Sequence, residues 1–136
     1  MIYVDFTECI PQGTITFHGG ANYGIRMSKV LAKHYDVTIL IPDEAAITEL
    51  CKCEFMEFSR IKILSINDLQ TFALGTKKDV LFIPLISTRR IPSISKVKKN
   101  NVGMKIFVTI HGIRKQDLPP DYVDSLYQDK SRVMRF

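Results

Sequence analysis

Short apolar runs alternate with amphipathic segments along most of the chain. The runs are rich in Ile, Val, Leu and Phe, and they predict five strands, at 2–6, 37–41, 61–66, 80–86 and 105–110. A further β-prone piece covers 14–17. The segments between the strands predict helices at about 22–33, 44–53, 69–74 and 92–99, with a last helical stretch after Pro119-Pro120.

The helix after Gly19-Gly20 has a clear helical periodicity. Its apolar residues recur at spacings of i, i+4, i+7 and i+8, which predicts that they form the buried face. These residues are Tyr23, Met27, Val30 and Leu31.

The alternation of strands and helices predicts the fold class. The fourth and fifth strands are nearly all apolar, as expected for strands covered on both faces of a parallel sheet, although Pro84 must sit at a strand end or irregularity. We therefore expect an α/β, doubly wound, Rossmann-like domain with a mostly parallel sheet and helices on both faces. It would span 1–136 as a single domain. Because a polar tail at 128–136 follows the last helical stretch with no closing strand, we expect it to be one half of a longer protein.

Composition narrows the function classes. Hydrophobic residues make up 46% and charged residues 24%, which excludes a disordered chain. No apolar run is long enough to span a bilayer, and the N-terminus lacks the features of a secretory signal. The three cysteines predict reduced thiols in a cytoplasmic protein, because Cys51-x-Cys53 is too tightly spaced for a zinc site. No metal or cofactor is expected.

The net charge of +5 favours anionic partners. Phosphates, nucleic acid and anionic lipid all fit such a surface, although the lysines at 96–99 fit a solvated helix face better. We do not expect nucleic acid, because no nucleic-acid-binding pattern interleaves the basic residues with aromatics. The basic residues concentrate at Arg89-Arg90, Lys96, Lys98-Lys99 and Arg114-Lys115.

Three loops follow predicted strands, where open parallel sheets bind ligands. They carry the candidate site residues His18, Gly19, Gly20 and Ala21 in the first, Arg89 and Arg90 in the second, and His111 and Arg114 in the third. Glycines before a helix let a phosphate approach the helix start, although the same glycines also suit a plain turn. His111 is suited either to contact a ligand as donor or base, or to cap the strand end.

Two segments resemble retaining GT-B glycosyltransferases, which use nucleotide sugars. One is the loop at 17–23, which runs into a helix and the strand at 35–40. The other is the segment at 108–114 with Leu118-Pro119 beyond it. The resemblance implies an acceptor-binding N-terminal domain, with the donor nucleotide held by a second domain and the active site between them. It also implies that Gly19, Gly20 and Ala21 lie near the donor phosphates and that the catalytic His111 lies near the transferred sugar. His18, Arg89, Arg90 and Arg114 remain candidates for anion or acceptor contacts.

The implied partners are a nucleotide-sugar donor and a saccharide or lipid-linked acceptor, with peripheral membrane contact as a further expectation. Catalysis is expected of the full-length enzyme and not of this fragment. The alternative is a nucleotide- or dinucleotide-binding domain of an oxidoreductase or epimerase. Asp43, just past the second strand, favours this alternative, and the absence of a G-x-G-x-x-G sequence disfavours it. A non-enzymatic, flavodoxin-like interaction domain is a third possibility.

Overall fold

A computed structural model describes residues 1–8, 19–86 and 91–109 and confirms an α/β, Rossmann-like fold. The described strands all run parallel, in the order β3-β2-β1-β4-β5. They are β1 (Ile2–Asp5), β2 (Val37–Ile41), β3 (Ile61–Ser65), β4 (Val80–Ile83) and β5 (Lys105–Val108). The helices are α1 (Gly19–Leu31), α2 (Ala45–Phe55) and α3 (Ile91–Asn100), with a 3₁₀ turn at Leu69–Thr71.

The order of the described strands reverses once, at the central strand. From β1 the chain builds outward through β2 to β3, and β4 then returns to the other side of β1. Ile2 pairs with Val37 on one side and with Val80 on the other. The carboxyl ends of β1 and β4 therefore flank the topological switch point, where open α/β sheets bind ligands.

Apolar side chains fill both faces of the sheet. On one face, strand residues such as Val4, Ile39 and Ile41 join residues of α1 and α2 in one buried cluster. On the other face, Leu40 and Leu81 join Val97 of α3 and the 3₁₀ turn. Helices on both faces are what a doubly wound sheet requires, and they explain why all five residues of β2 are buried.

The expectation of a buried fifth strand is wrong. Phe107 is 57% exposed, and Lys105 and Val108 are also exposed. The physical reason is position, since β5 lies at the edge of the sheet formed by the described strands and pairs with β4 alone among them. An apolar sequence does not reveal which strands of a sheet lie at its edges.

The predicted face of α1 is also wrong. Val30 is 52% exposed, and Tyr23 and Met27 are only half-buried. Small residues form most of the buried face, and at Gly24 the packing leaves no room for a Cβ atom. The buried residues are Ala21, Gly24, Ile25, Ser28 and, just past the helix, Ala32.

The other predicted strand and helix boundaries agree with the observed ones to within a few residues. β4 ends at Ile83, so Pro84 follows a strand end as its missing N–H requires. The predicted helix at 69–74 is shorter, a 3₁₀ turn of three residues. The β-prone piece at 14–17 and the helical stretch after Pro119-Pro120 lie outside the described residues.

Asn101 is a buried polar residue that ties the end of α3 to the segment after the 3₁₀ turn. It is 1% exposed. Its side-chain amide donates to the carbonyls of Phe72 and Val97, both at 2.8 Å, and its oxygen accepts from the N–H of Gly75 at 2.7 Å. The side chain therefore supplies the partners of the Phe72 carbonyl and the Gly75 N–H, whereas the Val97 carbonyl also accepts from the backbone N–H of Asn101 at 3.0 Å.

We expect Asn101→Ala to lower the free energy of unfolding by about 2–4 kcal/mol, because it leaves buried backbone groups unsatisfied. Urea denaturation followed by circular dichroism measures this. The control is Asn100→Ala, which removes one exposed hydrogen bond to the carbonyl of Gln70 and should cost less than about 1 kcal/mol. Equal losses for the two variants would contradict the role assigned to Asn101.

Candidate functional site

Gly24 allows α1 to approach the switch point closely. A Cβ atom at this position would lie 2.9 Å from Cγ of Pro84 and 3.0 Å from Cζ of Phe6. Phe6 directly follows β1, and Pro84 directly follows β4. The first half of α1 therefore packs against the carboxyl ends of both strands that flank the switch point, which only a residue without a side chain permits.

The predicted glycine loop is part of the helix. Gly19 and Gly20 are the first residues of α1 and do not precede it as a loop. Ala21 is fully buried, so its methyl group packs in the core and does not face a ligand. The positive end of the helix dipole at this segment is suited to bind an anion. The first turn of α1 contains no acidic side chain that would repel the anion.

The buried carboxylate of Asp5 lies beside the candidate site and was not among the predicted site residues. Asp5 is the last residue of β1 and only 1% exposed. Its Oδ1 accepts hydrogen bonds from the backbone N–H of Thr7 at 3.0 Å and from the Thr7 hydroxyl at 2.6 Å. These bonds fix the direction in which the chain leaves the central strand. The sequence signal for this residue was an acidic side chain at the end of the first apolar strand.

The remaining predicted site residues lie outside the described residues. These are His18, Arg89, Arg90, His111 and Arg114. The neighbouring backbone is defined, because α3 begins directly after Arg90. Thr109 donates from its backbone N–H to the carbonyl of Ile83 at 3.0 Å, at the carboxyl end of β4. The chain is thus at the ligand-binding edge two residues before His111.

Asp43, on which the alternative function depends, is exposed two residues after β2 ends. Because β2 is the neighbour of β1, Asp43 lies at the same edge of the sheet as Gly19 and Gly20. This is the position at which a dinucleotide-binding domain carries its ribose-binding acid.

Asp79 lies at the opposite end of the sheet, directly before β4. Partial burial opposes its ionisation, but hydrogen bonds from Thr76 and the amino terminus lower the pKa of its carboxyl group. The amino-terminal nitrogen lies 3.3 Å from Oδ1. This carboxylate serves to anchor the amino terminus beside β4.

The cysteines of α2 point in different directions, with Cys51 buried and Cys53 exposed. Burial and the nearby Glu54 raise the pKa of the Cys51 thiol to about 12, so it is not a nucleophile at neutral pH. Within the described ranges, no group of three or more His, Cys, Asp or Glu side chains is placed to hold a metal ion.

An open groove of about 610 Å³ lies away from the switch point, where α2 ends and β3 begins. Phe55, Met56 and Phe58 line it together with Ile61 and Ile63. It borders the amino end of an edge strand, so it is separate from the ligand-binding edge.

Comparisons with protein-family models, with curated proteins and with solved structures give no match. None of the helices in the described part of the chain has the length and apolar character to cross a membrane.

We expect Gly24→Ala to destabilise the protein by about 1–2 kcal/mol, although alanine is the better helix former by about 1 kcal/mol. The added methyl group would overlap the rigid ring of Pro84 and the buried ring of Phe6. Thermal and urea denaturation measure the loss.

The matched control is Asn22→Ala, an exposed position in the same helix, which should change stability by less than about 0.5 kcal/mol. A Gly24→Ala variant as stable as the wild type would show that α1 is not held in close contact with the two strand ends.

Proposed function

We propose that this chain is the acceptor-binding domain of a GT-B glycosyltransferase that transfers a sugar from a nucleotide sugar. In this proposal the donor phosphates approach the start of α1 at the switch point. The proposal rests on the resemblance of the two segments described above and on the geometry around Gly24.

The close contact at Gly24 is the observation that carries the proposal. It holds the amino-terminal end of α1 against the carboxyl ends of β1 and β4. An anion at this edge would meet the positive end of the helix dipole, and Gly19 and Gly20 have no side chains to keep it at a distance. A diphosphate is the part of a nucleotide sugar that such a site suits.

Further roles follow from the resemblance. His111 would contact the transferred sugar, and the arginines at 89, 90 and 114 would pair with phosphate or acceptor groups. In the resembled enzymes a second domain holds the nucleotide. We therefore expect the 136-residue chain alone to bind a nucleotide sugar only weakly, through its phosphates, and not to catalyse transfer. A cytoplasmic location and peripheral membrane contact belong to the same proposal.

A dinucleotide-binding domain is the second candidate, and the position of Asp43 favours it. An exposed carboxylate next to the end of β2 could accept hydrogen bonds from a ribose. The glycine spacing opposes this candidate, because Ala21 stands where the G-x-G-x-x-G arrangement ending at Gly24 has its second glycine. Gly24 nevertheless supplies the close helix packing that the third glycine provides in such domains.

We expect UDP-glucose or GDP-mannose to shift the backbone amide resonances of residues 19–21 in an NMR titration, and Gly20→Val to abolish these shifts. The valine side chain would keep a phosphate away from the helix start. The matched control is Ala46→Val, an exposed position in the first turn of α2, which also begins at the carboxyl edge but beyond β2.

NAD serves as the competing ligand in the same titration and should bind no more tightly than inorganic phosphate. Micromolar affinity for NAD, with shifts at Asp43, would establish the dinucleotide-binding alternative in its place. Absence of shifts at 19–21 with every nucleotide sugar would refute the proposed phosphate site.

In the transferase that combines this domain with its nucleotide-binding domain, we expect His111→Ala to lower turnover about 100-fold with little change in melting temperature. A positioned hydrogen bond that strengthens in the transition state is worth roughly 2–4 kcal/mol. His34→Ala is the matched control, since His34 is exposed after the end of α1. Near-normal turnover of the His111 variant would mean that this residue only caps the strand.

A further inference from the structure

We propose that the amino-terminal end of the sheet carries a docking surface for an anionic lipid bilayer. This lysine patch consists of five lysines around one exposed valine: Lys77, Lys78, Lys98, Lys99, Lys105 and Val102. The inference rests on the peripheral membrane contact of the proposed function and names its surface, and it does not require the transferase activity, which concerns the opposite end of the strands.

Two segments that are separated in sequence, 77–78 and 98–105, bring these residues together. The turn after α3 lies against the loop before β4, because a Cβ atom on Gly103 would be 2.9 Å from Cβ of Lys77. Lys105 begins β5 and pairs with Val80, and its N–H donates to the carbonyl of Asp79 at 3.4 Å. The lysines at 98 and 99 occupy the last turn of α3, directly before this turn.

The five lysines form a concentrated positive surface. Each is exposed, and none makes an ion pair with another described residue. The nearby carboxylate of Asp79 is already bound by Thr76 and by the amino terminus. The helix dipole accounts for lysines in the last turn of α3, but not for Lys77, Lys78 and Lys105. Uncompensated lysines in such a cluster are attracted to anionic lipid headgroups.

An exposed aliphatic side chain lies among the lysines of the patch. Val102 is 81% exposed in the turn between α3 and β5, and Leu74, beside Gly75, is 60% exposed. Gly75 donates to the side chain of Asn101, so Leu74 lies close to the same turn. Exposed aliphatic side chains among lysines can insert into the headgroup region of a bilayer while the lysines contact the lipid phosphates. A nucleic-acid surface would instead favour arginines and stacking aromatics, and the patch contains neither.

The orientation of this surface keeps the other end of the sheet open. The patch lies before β4 and β5, whereas α1 begins at the carboxyl ends of the parallel strands. A protein bound to a bilayer through the patch would therefore direct the carboxyl edge of the sheet away from the lipid, which favours a soluble saccharide acceptor over a lipid-linked one.

Flotation of the 136-residue chain with phosphatidylcholine vesicles, with and without about one-quarter phosphatidylglycerol, tests the proposal. We expect binding to the anionic vesicles only, with a loss as salt is raised. Because each lysine near such a surface contributes roughly fivefold, Lys98→Gln/Lys99→Gln should weaken partitioning roughly 25-fold. Val102→Ser should weaken it several-fold without altering the salt dependence.

The matched control is Arg26→Gln/Lys62→Gln, which makes the same change in net charge at exposed positions outside the patch. It should weaken partitioning less than about threefold. Circular dichroism confirms that each variant is folded. Three outcomes would overturn the proposal: no binding to anionic vesicles, equal losses in the patch and control variants, or a patch-dependent affinity for DNA or RNA that exceeds the affinity for vesicles.

Discussion

The close approach of α1 to the ends of β1 and β4 is the contact on which the rest of the structure depends. It requires Gly24, because any side chain would overlap Pro84 and Phe6. The same approach makes the buried face of the helix one of small residues and leaves Tyr23 and Met27 half-buried on its flank. It also brings the positive end of the helix dipole to the switch point, where an open parallel sheet has room for a ligand.

The parallel arrangement gives the two ends of the sheet different electrostatic character. At the carboxyl end, the first turn of α1 contains no acidic residue. The buried carboxylate of Asp5 accepts hydrogen bonds from Thr7. At the amino end, Asp79 is held by Thr76 and the amino terminus, while the surrounding lysines have no ion-pair partners among the described residues. Both ends therefore suit anions, one through a helix start and the other through a charged surface.

The sequence predicts the strands well because continuous apolar runs are a local signal. β2 coincides with its predicted range, and β3 differs by one residue. The face of α1 was predicted wrongly because periodicity gives weight to large apolar residues, whereas close packing selects small ones such as Ala21 and Ser28. The exposure of Phe107 depends on strand order, which no local pattern contains.

The candidate site likewise combines local sequence signals with contacts that depend on the tertiary structure. Glycines before a helix were a recognisable signal, but the function of Gly24 depends on Pro84, which only the folded sheet brings near. Asn101 likewise finds its partners in segments far along the chain. Sequence alone therefore indicated the carboxyl edge of the sheet as the candidate site, while the contacts that build this edge required the tertiary structure.

The central claim is that the start of α1, between the ends of β1 and β4, is a phosphate site for a nucleotide sugar. A crystal structure of the chain with UDP-glucose or GDP-mannose tests this most directly. We predict density for the diphosphate at the backbone of Gly19 and Gly20. A ligand bound instead through Asp43 with its phosphates away from α1, or at the lysine patch alone, would contradict the account.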